Sequence, residues 1–511
     1  MESKYYITTP VYYVNDVPHI GHAYTSILAD IYARYMRLAG LEVYFLTGTD
    51  EHGQKVEKAA DKAKISPQKF TDRISQAFIN LNKVFNISND DFIRTTEERH
   101  INAVKKFWNI LYNKGNIYLG KYCGWYAVRD EAFYYESDLI DGKAPTGAEV
   151  EWVEEPSYFF ALSKWQSQLL DWYENNPDVI KPSFYKNEVI NFIKNGLTDL
   201  SISRTTFKWG IKVPHDPSHI IYVWLDALVN YVSALGYSND FASKIDRFWP
   251  ADIHVVGKDI LRFHAIYWPA FLMAVELPLP KTILTHGWWT CEGQKISKSI
   301  GNVIDPFMLA DEFGVDQVRY FLSREITIGK DGNFSRISFI NRINSELCNK
   351  IGNLVHRTLS FIYKYNHASI PKLEQETIAS LYNSESLLIN VTKLSKDIIT
   401  IINDDSITIV LDRIIEIVDQ SNIYIDHQAP WKLKIEDVTK MGEVLYVLTE
   451  TIRYIAIFLQ PFIPLSASKI LDLLSITVED RNFKCLNIDN ALKPGTIITK
   501  PEPVFIKIEE K

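Results

Sequence analysis

Cysteine is scarce: the four in 511 residues, Cys123, Cys291, Cys348 and Cys485, lie far apart, and none stands in a C-x-x-C pair. That spacing argues against a disulfide framework and against a cysteine-ligated zinc. Long apolar runs are missing too. No stretch of about 18 uncharged apolar residues occurs, and MESKYYITTP at the amino terminus has neither an apolar core nor an arginine-rich amphipathic pattern, so no membrane span and no leader is expected. Basic excess is the third absence. With 55 Lys and Arg against 63 Asp and Glu, the formal charge is −8 and the pI about 5.9, which leaves any polyanionic partner to local basic patches. A cytoplasmic protein in a reducing compartment is expected.

What remains is ordinary globular composition, 46% hydrophobic and 23% charged, in a chain long enough for two to four domains. No internal repeat or low-complexity tail interrupts it. Lys4 to Thr9 reads as a strand, Pro10 to Pro18 as a loop, and Ala23 to Leu38 as a helix whose Ile27, Ile31, Tyr35 and Leu38 share one face before the C-cap Gly40. EVYFL, Glu42 to Leu46, follows as a second strand. This βαβ unit predicts an α/β fold with a Rossmann-type parallel sheet and ligands at the carboxyl ends of its strands. From about Asn113 the texture turns aromatic and turn-rich, as in a β-rich insertion. IIYVW (Ile220 to Trp224) and IHVVGKD (Ile253 to Asp259) read as strands that resume the α/β pattern. Beyond about Ser345, apolar spacings of three and four, as in VLYVLTETIRYIAIFL, predict an α-helical bundle.

Histidine is sparse as well, 12 in the whole chain, yet His19 and His22 both stand at the mouth of the first helix in VPHIGHAY. A helix amino terminus offers unpaired N–H groups and a partial positive charge, which prepares it for phosphate. Two imidazoles there add donors, and Gly21 between them lets a ligand approach the backbone. Packing of both rings against Tyr13 or Tyr24 is the competing reading. A second basic element is remote: Lys295, Ile296, Ser297, Lys298 and Ser299 lie in a loop between Gly293 and Gly301, a pattern that alone describes a solvated charged loop.

In this order the two elements resemble the H-I-G-H and K-M-S-K-S signatures of class I aminoacyl-tRNA synthetases, with Ile296 where methionine is usual. TPVYYVNDVPHIGHAY, TGTDEHG, YVWLDALVNY, VVGKDILRFHAIYWPA and HGWWTCEGQKISKS are similar to core segments of the methionyl-tRNA synthetase family, and the resemblance spans essentially the whole chain. The relatives specific for leucine, isoleucine and valine carry a large editing insertion, for which 511 residues leave little room. The cysteinyl relative uses a zinc thiolate site, and no ligand set for one is obvious.

The resemblance implies a ligase that activates L-methionine with ATP to methionyl-adenylate and pyrophosphate, then esterifies the 3′-terminal adenosine of tRNA(Met), initiator tRNA included. It makes His19, Gly21 and His22 binders of the ATP phosphates, with Lys295, Ser297 and Lys298 closing over the same group and Gly257 and Asp259 near the ribose. His19, His22, Lys295 and Lys298 are the expected catalytic residues. Attack of a carboxylate on the α-phosphorus needs alignment and charge stabilisation, which suits cations and N–H donors. Mg2+ is expected with the pyrophosphate. For methionine, Asp50 is expected at the α-ammonium and Val11, Tyr13, Trp224, Ala227, Leu228, Tyr231, Ile260 and His264 around the side chain, where aromatic rings suit a polarizable thioether. Leu228 stands where the family often has proline.

Zinc-bearing members show cysteine pairs in a knuckle of the insertion. Ala127, Asp130, Ala144 and Gly147 occupy the matching places here, and a tetrahedral site needs four donors, so no structural zinc is expected. NLVHR (Asn353 to Arg357) and IDHQAPWK (Ile425 to Lys432) are similar to anticodon-binding segments. Asn353 and Arg357 lie at i and i+4, and Trp431 offers a stacking plate for an unpaired base. The expected organisation is a first Rossmann half over 1–113, a connective insertion over 114–215, a second Rossmann half over 216–285, a KISKS-loop and stem-contact region over 286–345 and a helical anticodon-binding domain over 346–511. The chain ends close to where the bundle pattern ends, so a monomer without the appended domain of longer relatives is expected. The alternatives are another class I synthetase, a nucleotidyltransferase sharing the helix-start histidines, which has no use for an anticodon-like bundle, and a non-catalytic tRNA-binding relative. Retention of His19, His22, Lys295 and Lys298 argues against the last.

Overall fold

The computed structural model describes residues 4–130, 132–134, 136–238, 244–295, 303–404 and 407–509. In β1 (Lys4–Tyr13) the run Tyr6 to Thr9 is buried without alternation, as in an interior strand covered on both faces. Helix α1 (Ile20–Leu38) buries Ile27, Ile31 and Tyr35 and returns to β2 (Glu42–Asp50), beside which β3 (Asp91–Arg94) forms an edge. On the other side of β1 lie the strands Ile253–Gly257, Ile283–His286 and Ile180–Lys181, and all these pairings are parallel. The α/β Rossmann-type class read from the sequence is the class observed. Strand order reverses between β1 and Ile253–Gly257, and at such a switch point the carboxyl ends of neighbouring strands part to leave a crevice.

Three local readings need correction. β1 does not end at Thr9 but continues to Tyr13 through a register shift between Thr8 and Val11, because Pro10, which has no N–H, is accommodated by the irregularity. Helix α1 starts at Ile20, three residues early, because His19 caps it. IIYVW is split: Asp216–Ile221 is a strand, and Val223–Leu228 is a helix. A short buried apolar run carries no periodicity that separates these two states.

The region expected as an insertion holds a four-stranded antiparallel sheet built from Ile117–Ala127, Ala132–Tyr134, Glu151–Phe160 and Leu200–Ser201. The edge strand Ile180–Lys181 of the parallel sheet also comes from within 114–215, so that stretch of chain serves both layers. Long helices dominate the carboxyl-terminal part, among them Ser386–Asn403, Ile407–Gln428 and Val438–Leu459. After Leu473 helices give way to short 3-10 turns and an extended tail that hydrogen-bonds back, Ile370 N to Thr496 O at 2.8 Å and Asn344 Nδ2 to Ile508 O at 2.8 Å. Among the described residues no helix is long and apolar enough to cross a membrane.

A buried guanidinium ties α1 to the helical part. Arg319 on the helix Val315–Arg324 donates to Asp30 Oδ2 on α1 at 2.7 Å and to the carbonyls of Phe85, Pro461 and Phe462 at 2.9, 2.6 and 3.1 Å. Asp30 also accepts from Arg34 and from the backbone and hydroxyl of Ser88. Both charges are removed from water, yet four of the five guanidinium N–H groups and both Asp30 oxygens are met, and such hydrogen bonds are the condition under which a buried pair holds.

Candidate active site

The crevice at the switch point is a cavity of about 710 Å³. His19, Gly21 and His22 form its mouth, Gly257 and Asp259 one side, and Val11, Tyr13, Asp50, Trp224, Ala227, Leu228, Tyr231, Ile260 and His264 the remainder. Residues spread over about 250 positions are thus brought to one space, at strand ends where the topology requires it.

The histidines cap the helix with each other. His19 Nδ1 accepts the Gly21 N–H at 3.0 Å, and His22 Nδ1 accepts the His19 N–H at 3.1 Å. A neutral imidazole that accepts at Nδ1 carries its proton on Nε2, so each ring keeps one N–H donor for a ligand. Both rings are held neutral: desolvation lowers the pKa of His19, with Asp259 opposing, and burial together with His19 puts that of His22 well below 6.5. Gly21 is required here, since a Cβ would lie 2.9 Å from His19 Cε1. His22 packs edge-on against Tyr12 and Phe78 at 5.0 and 5.1 Å, other rings than the Tyr13 or Tyr24 expected, and this packing does not compete with ligand binding.

At the other end, the Tyr231 hydroxyl lies 2.6 Å from His264 Nε2, and His264 Nδ1 lies 2.9 Å from the Ile260 carbonyl. A carbonyl only accepts, so Nδ1 bears the proton and Nε2 receives the tyrosine O–H. Burial holds the pKa of His264 down to about 4, which keeps that chain of donors in one direction at neutral pH. Trp224 stacks on Phe263 with centroids 3.6 Å apart. Asp50, 6% exposed, is the buried one of the aspartates that line the cavity. Next to Ile260, Asp259 accepts through Oδ1 from Trp288 Nε1 at 3.2 Å, and Lys258 pairs with Asp331 at 2.7 Å.

Of the lysine-serine segment, the structure describes the backbone of Lys295 alone; Ser297 and Lys298 lie outside the described residues, 296–302 being the gap. Its flanks are informative. Lys295 pairs antiparallel with Thr290 in a hairpin whose Trp289 and Thr290 line the cavity. On the far side Val303 lines the cavity too, and the Ile304 carbonyl accepts the Ile20 N–H at the start of α1. Both flanks therefore border the cavity, and the carboxyl one is bonded to the start of α1.

A family model described as tRNA synthetases class I (M) matches residues 5–151 and 135–359, and one described as the anticodon binding domain of methionyl tRNA ligase matches 408–511. The chain belongs to the methionyl branch of the class I tRNA synthetases. A methionine–tRNA ligase of Rickettsia felis is 62% identical over 510 residues, covering 100% of this chain and 99% of that one, and one of Rhizobium meliloti is 50% identical over 512 residues, 98% of each. The structure of Mycobacterium tuberculosis methionyl-tRNA synthetase in complex with methionyl-adenylate matches with a TM-score of 0.93 at 43% identity, over 98% of this chain and 99% of that one.

Within this methionyl-type frame, Asn353 is exposed on the helix Asn353–Tyr365, and Arg357 one turn on has its guanidinium 5.9 Å from the Trp431 ring centroid. Arg357 also donates to Asp426 at 2.5 Å. At the knuckle positions Ala127 and Ala144 are buried together with Ala148, and Asp130 accepts from Thr146 and, at 3.1 Å, from Tyr134. Among the described residues no three His, Cys, Asp or Glu are placed to share a metal. Asp130 nevertheless reaches the cavity from the insertion.

Reading the sequence missed Asn230, His286 and Asp331 in the lining. The first two lie in YVWLDALVNY and HGWWTCEGQKISKS, the quoted motif segments, where a polar residue among aromatics was the signal; nothing local marks Asp331. His286 is fastened to the capping helix by Thr25 Oγ1 at 2.9 Å from its Nε2, while its Nδ1–H donates to the Gly287 carbonyl at 2.8 Å.

Proposed function

We propose that the chain is an ATP-dependent ligase that joins L-methionine to tRNA(Met), the initiator species included. Methionine and ATP give methionyl-adenylate and pyrophosphate, and the 3′-terminal adenosine then takes the methionyl group as an ester. One observation carries this reading: a helix start with two neutral imidazole donors and an aromatic wall with a buried carboxylate open onto the same cavity.

In this reading the methionine carboxylate attacks the α-phosphorus, the bond to the leaving pyrophosphate breaks, and negative charge grows on its oxygens. The Nε2–H groups of His19 and His22 receive that charge, with the ammonium groups of Lys295 and Lys298 and the Ser297 hydroxyl on the other side. Gly21 and Gly257 give the nucleotide room, and Asp259 takes the ribose hydroxyls. Asp50 pairs with the α-ammonium, while Val11, Tyr13, Trp224, Ala227, Leu228, Tyr231, Ile260 and His264 enclose the thioether. Mg2+ accompanying ATP would offset the charge on its phosphate oxygens.

Asn353, Arg357 and Trp431 form the anticodon contact, by edge hydrogen bonds and stacking. The division at 113, 215, 285 and 345 is our proposed domain plan, with Ile180–Lys181 lent by the insertion to the parallel sheet. A monomer in the cytoplasm, with no structural zinc, completes the reading. Its test is methionine-dependent exchange of labelled pyrophosphate into ATP. Exchange is expected with methionine and not with leucine, isoleucine, valine or cysteine; a folded protein that exchanges with another amino acid, or not at all, overturns it.

A further inference from the structure

Three consecutive residues at the carboxyl end of β2 are held in three different ways. Asp50 faces the cavity. Glu51, fully buried, is gripped through both oxygens by Arg94 at 2.7 and 2.9 Å. His52 turns into the interior, where its Nδ1 lies 2.6 Å from Asp226 Oδ2. The other oxygen of Asp226 lies 2.7 Å from His100 Nε2, and His100 Nδ1 lies 2.8 Å from the Ser233 hydroxyl.

Asp226 is completely enclosed, and a carboxylate without water must find a donor for each oxygen or lose its charge. Carboxylate oxygens only accept, so both facing ring nitrogens are donors: His52 carries a proton on Nδ1 and His100 on Nε2. Burial alone would raise the pKa of Asp226, but the two imidazoles outweigh it and the group is held below its usual range.

His52, Asp226 and His100 are outside the cavity lining, yet the first two are close in sequence to residues that form it. His52 follows Asp50 by two residues. Asp226 sits in the helix Val223–Leu228 between Trp224 and Ala227, and those two with Leu228 are cavity wall. The strand end bearing Asp50 and the helix bearing the wall are thus joined, through His52 and Asp226, by one short hydrogen bond.

We propose that His52 and Asp226 are a positioning pair that sets the separation between Asp50 and the wall of Trp224, Ala227 and Leu228, and thereby the affinity for an α-amino acid whose ammonium and side chain must be met at once. The inference rests on the adenylate-forming reading above, which assigns those two surfaces to one substrate. ATP, met at the helix mouth, depends on neither. His100 and Ser233 complete the shell of Asp226 from the side away from the substrate.

Asparagine places its amide N–H where histidine has Nδ1, and glutamine places one where histidine has Nε2. In the pyrophosphate-exchange assay, His52→Leu should raise KM for methionine about tenfold or more and leave KM for ATP within about twofold, since misplacing a substrate-holding group by about 1 Å costs up to a hundredfold. His52→Asn should return the methionine KM to within about threefold of the wild type, and His52→Gln should not. His100→Gln should behave as wild type. If His52→Leu does not fold, the contrast between His52→Asn and His52→Gln carries the test. Equal methionine KM values for those two, or methionine and ATP KM values rising together, would overturn the positioning role. A lowered melting temperature with an unchanged methionine KM would overturn it as well. A folded wild type without methionine-dependent exchange overturns the functional reading, and this inference with it.

Discussion

Asparagine in place of His19 separates two jobs that one imidazole performs at the mouth of α1. Through Nδ1 the ring accepts the Gly21 N–H at 3.0 Å and caps the helix; through Nε2–H it faces the cavity. Asparagine is among the best N-caps, and its side-chain oxygen reaches the same amide, so stability should change by less than about 0.5 kcal/mol. His22, whose Nδ1 takes the backbone N–H of residue 19 and not its side chain, keeps its orientation. What is lost is one donor aimed at charge that develops only as the phosphoryl bond breaks. Removal of such a donor costs about 2.7–4 kcal/mol, so adenylate formation should slow by about 10²- to 10³-fold while methionine affinity holds. Pyrophosphate exchange, thermal unfolding and equilibrium binding of methionine measure the three quantities on one preparation. A loss of exchange below about tenfold in a protein that melts normally would refute the assignment of Nε2–H to phosphate. Equal collapse of stability and rate would mean that capping is the sole role of His19.

Other consequences are equally concrete. Replacing Arg319 with methionine leaves Asp30 and three backbone carbonyls short of a donor, and should lower stability to urea by about 3–5 kcal/mol, while a change under about 1 kcal/mol would show that the buried cation does not hold the two halves together. Trp431→Ala should cut aminoacylation of tRNA by about tenfold or more and leave pyrophosphate exchange untouched, because a stacked base is worth about 1–3 kcal/mol and the ring is remote from the cavity; loss of exchange would place the residue elsewhere. Burial keeps His22, His254, His264 and His286 below 6.5. The unfolded chain therefore takes up protons near pH 6.5 that the folded chain refuses, and stability should fall as pH drops below that value. His264, held down to about 4, accounts by itself for about 3 kcal/mol of the loss at pH 4. Denaturant midpoints that stay level from pH 7 to pH 4.5 would contradict the neutral assignments.

Local chemistry decided what the sequence could say. The period of apolar residues marked α1, the βαβ unit and the helical end, and the paired signatures pointed to the family before any contact was known. Each of those signals is carried by neighbours along the chain, within one turn of helix or one strand. Asp50, Trp224, Tyr231 and His264 were named as methionine candidates because they sit inside segments that resemble a known core, and all four line one cavity.

What only the tertiary structure decided is every property that depends on a partner far away in sequence. That Val223–Leu228 is a helix and not a strand is decided by packing, since a short buried apolar run fits either state. The tautomers of His19, His22 and His264 follow from which atom each Nδ1 meets. Asp331 enters the lining from a turn that carries no motif, and Asp226 is a charged residue in an apolar helix until His52 and His100 close on it. The cause is common to all of them: hydrogen-bond direction, protonation and the energy of a buried charge are set by distance in space, and the parallel sheet brings together strand ends that the chain keeps hundreds of residues apart.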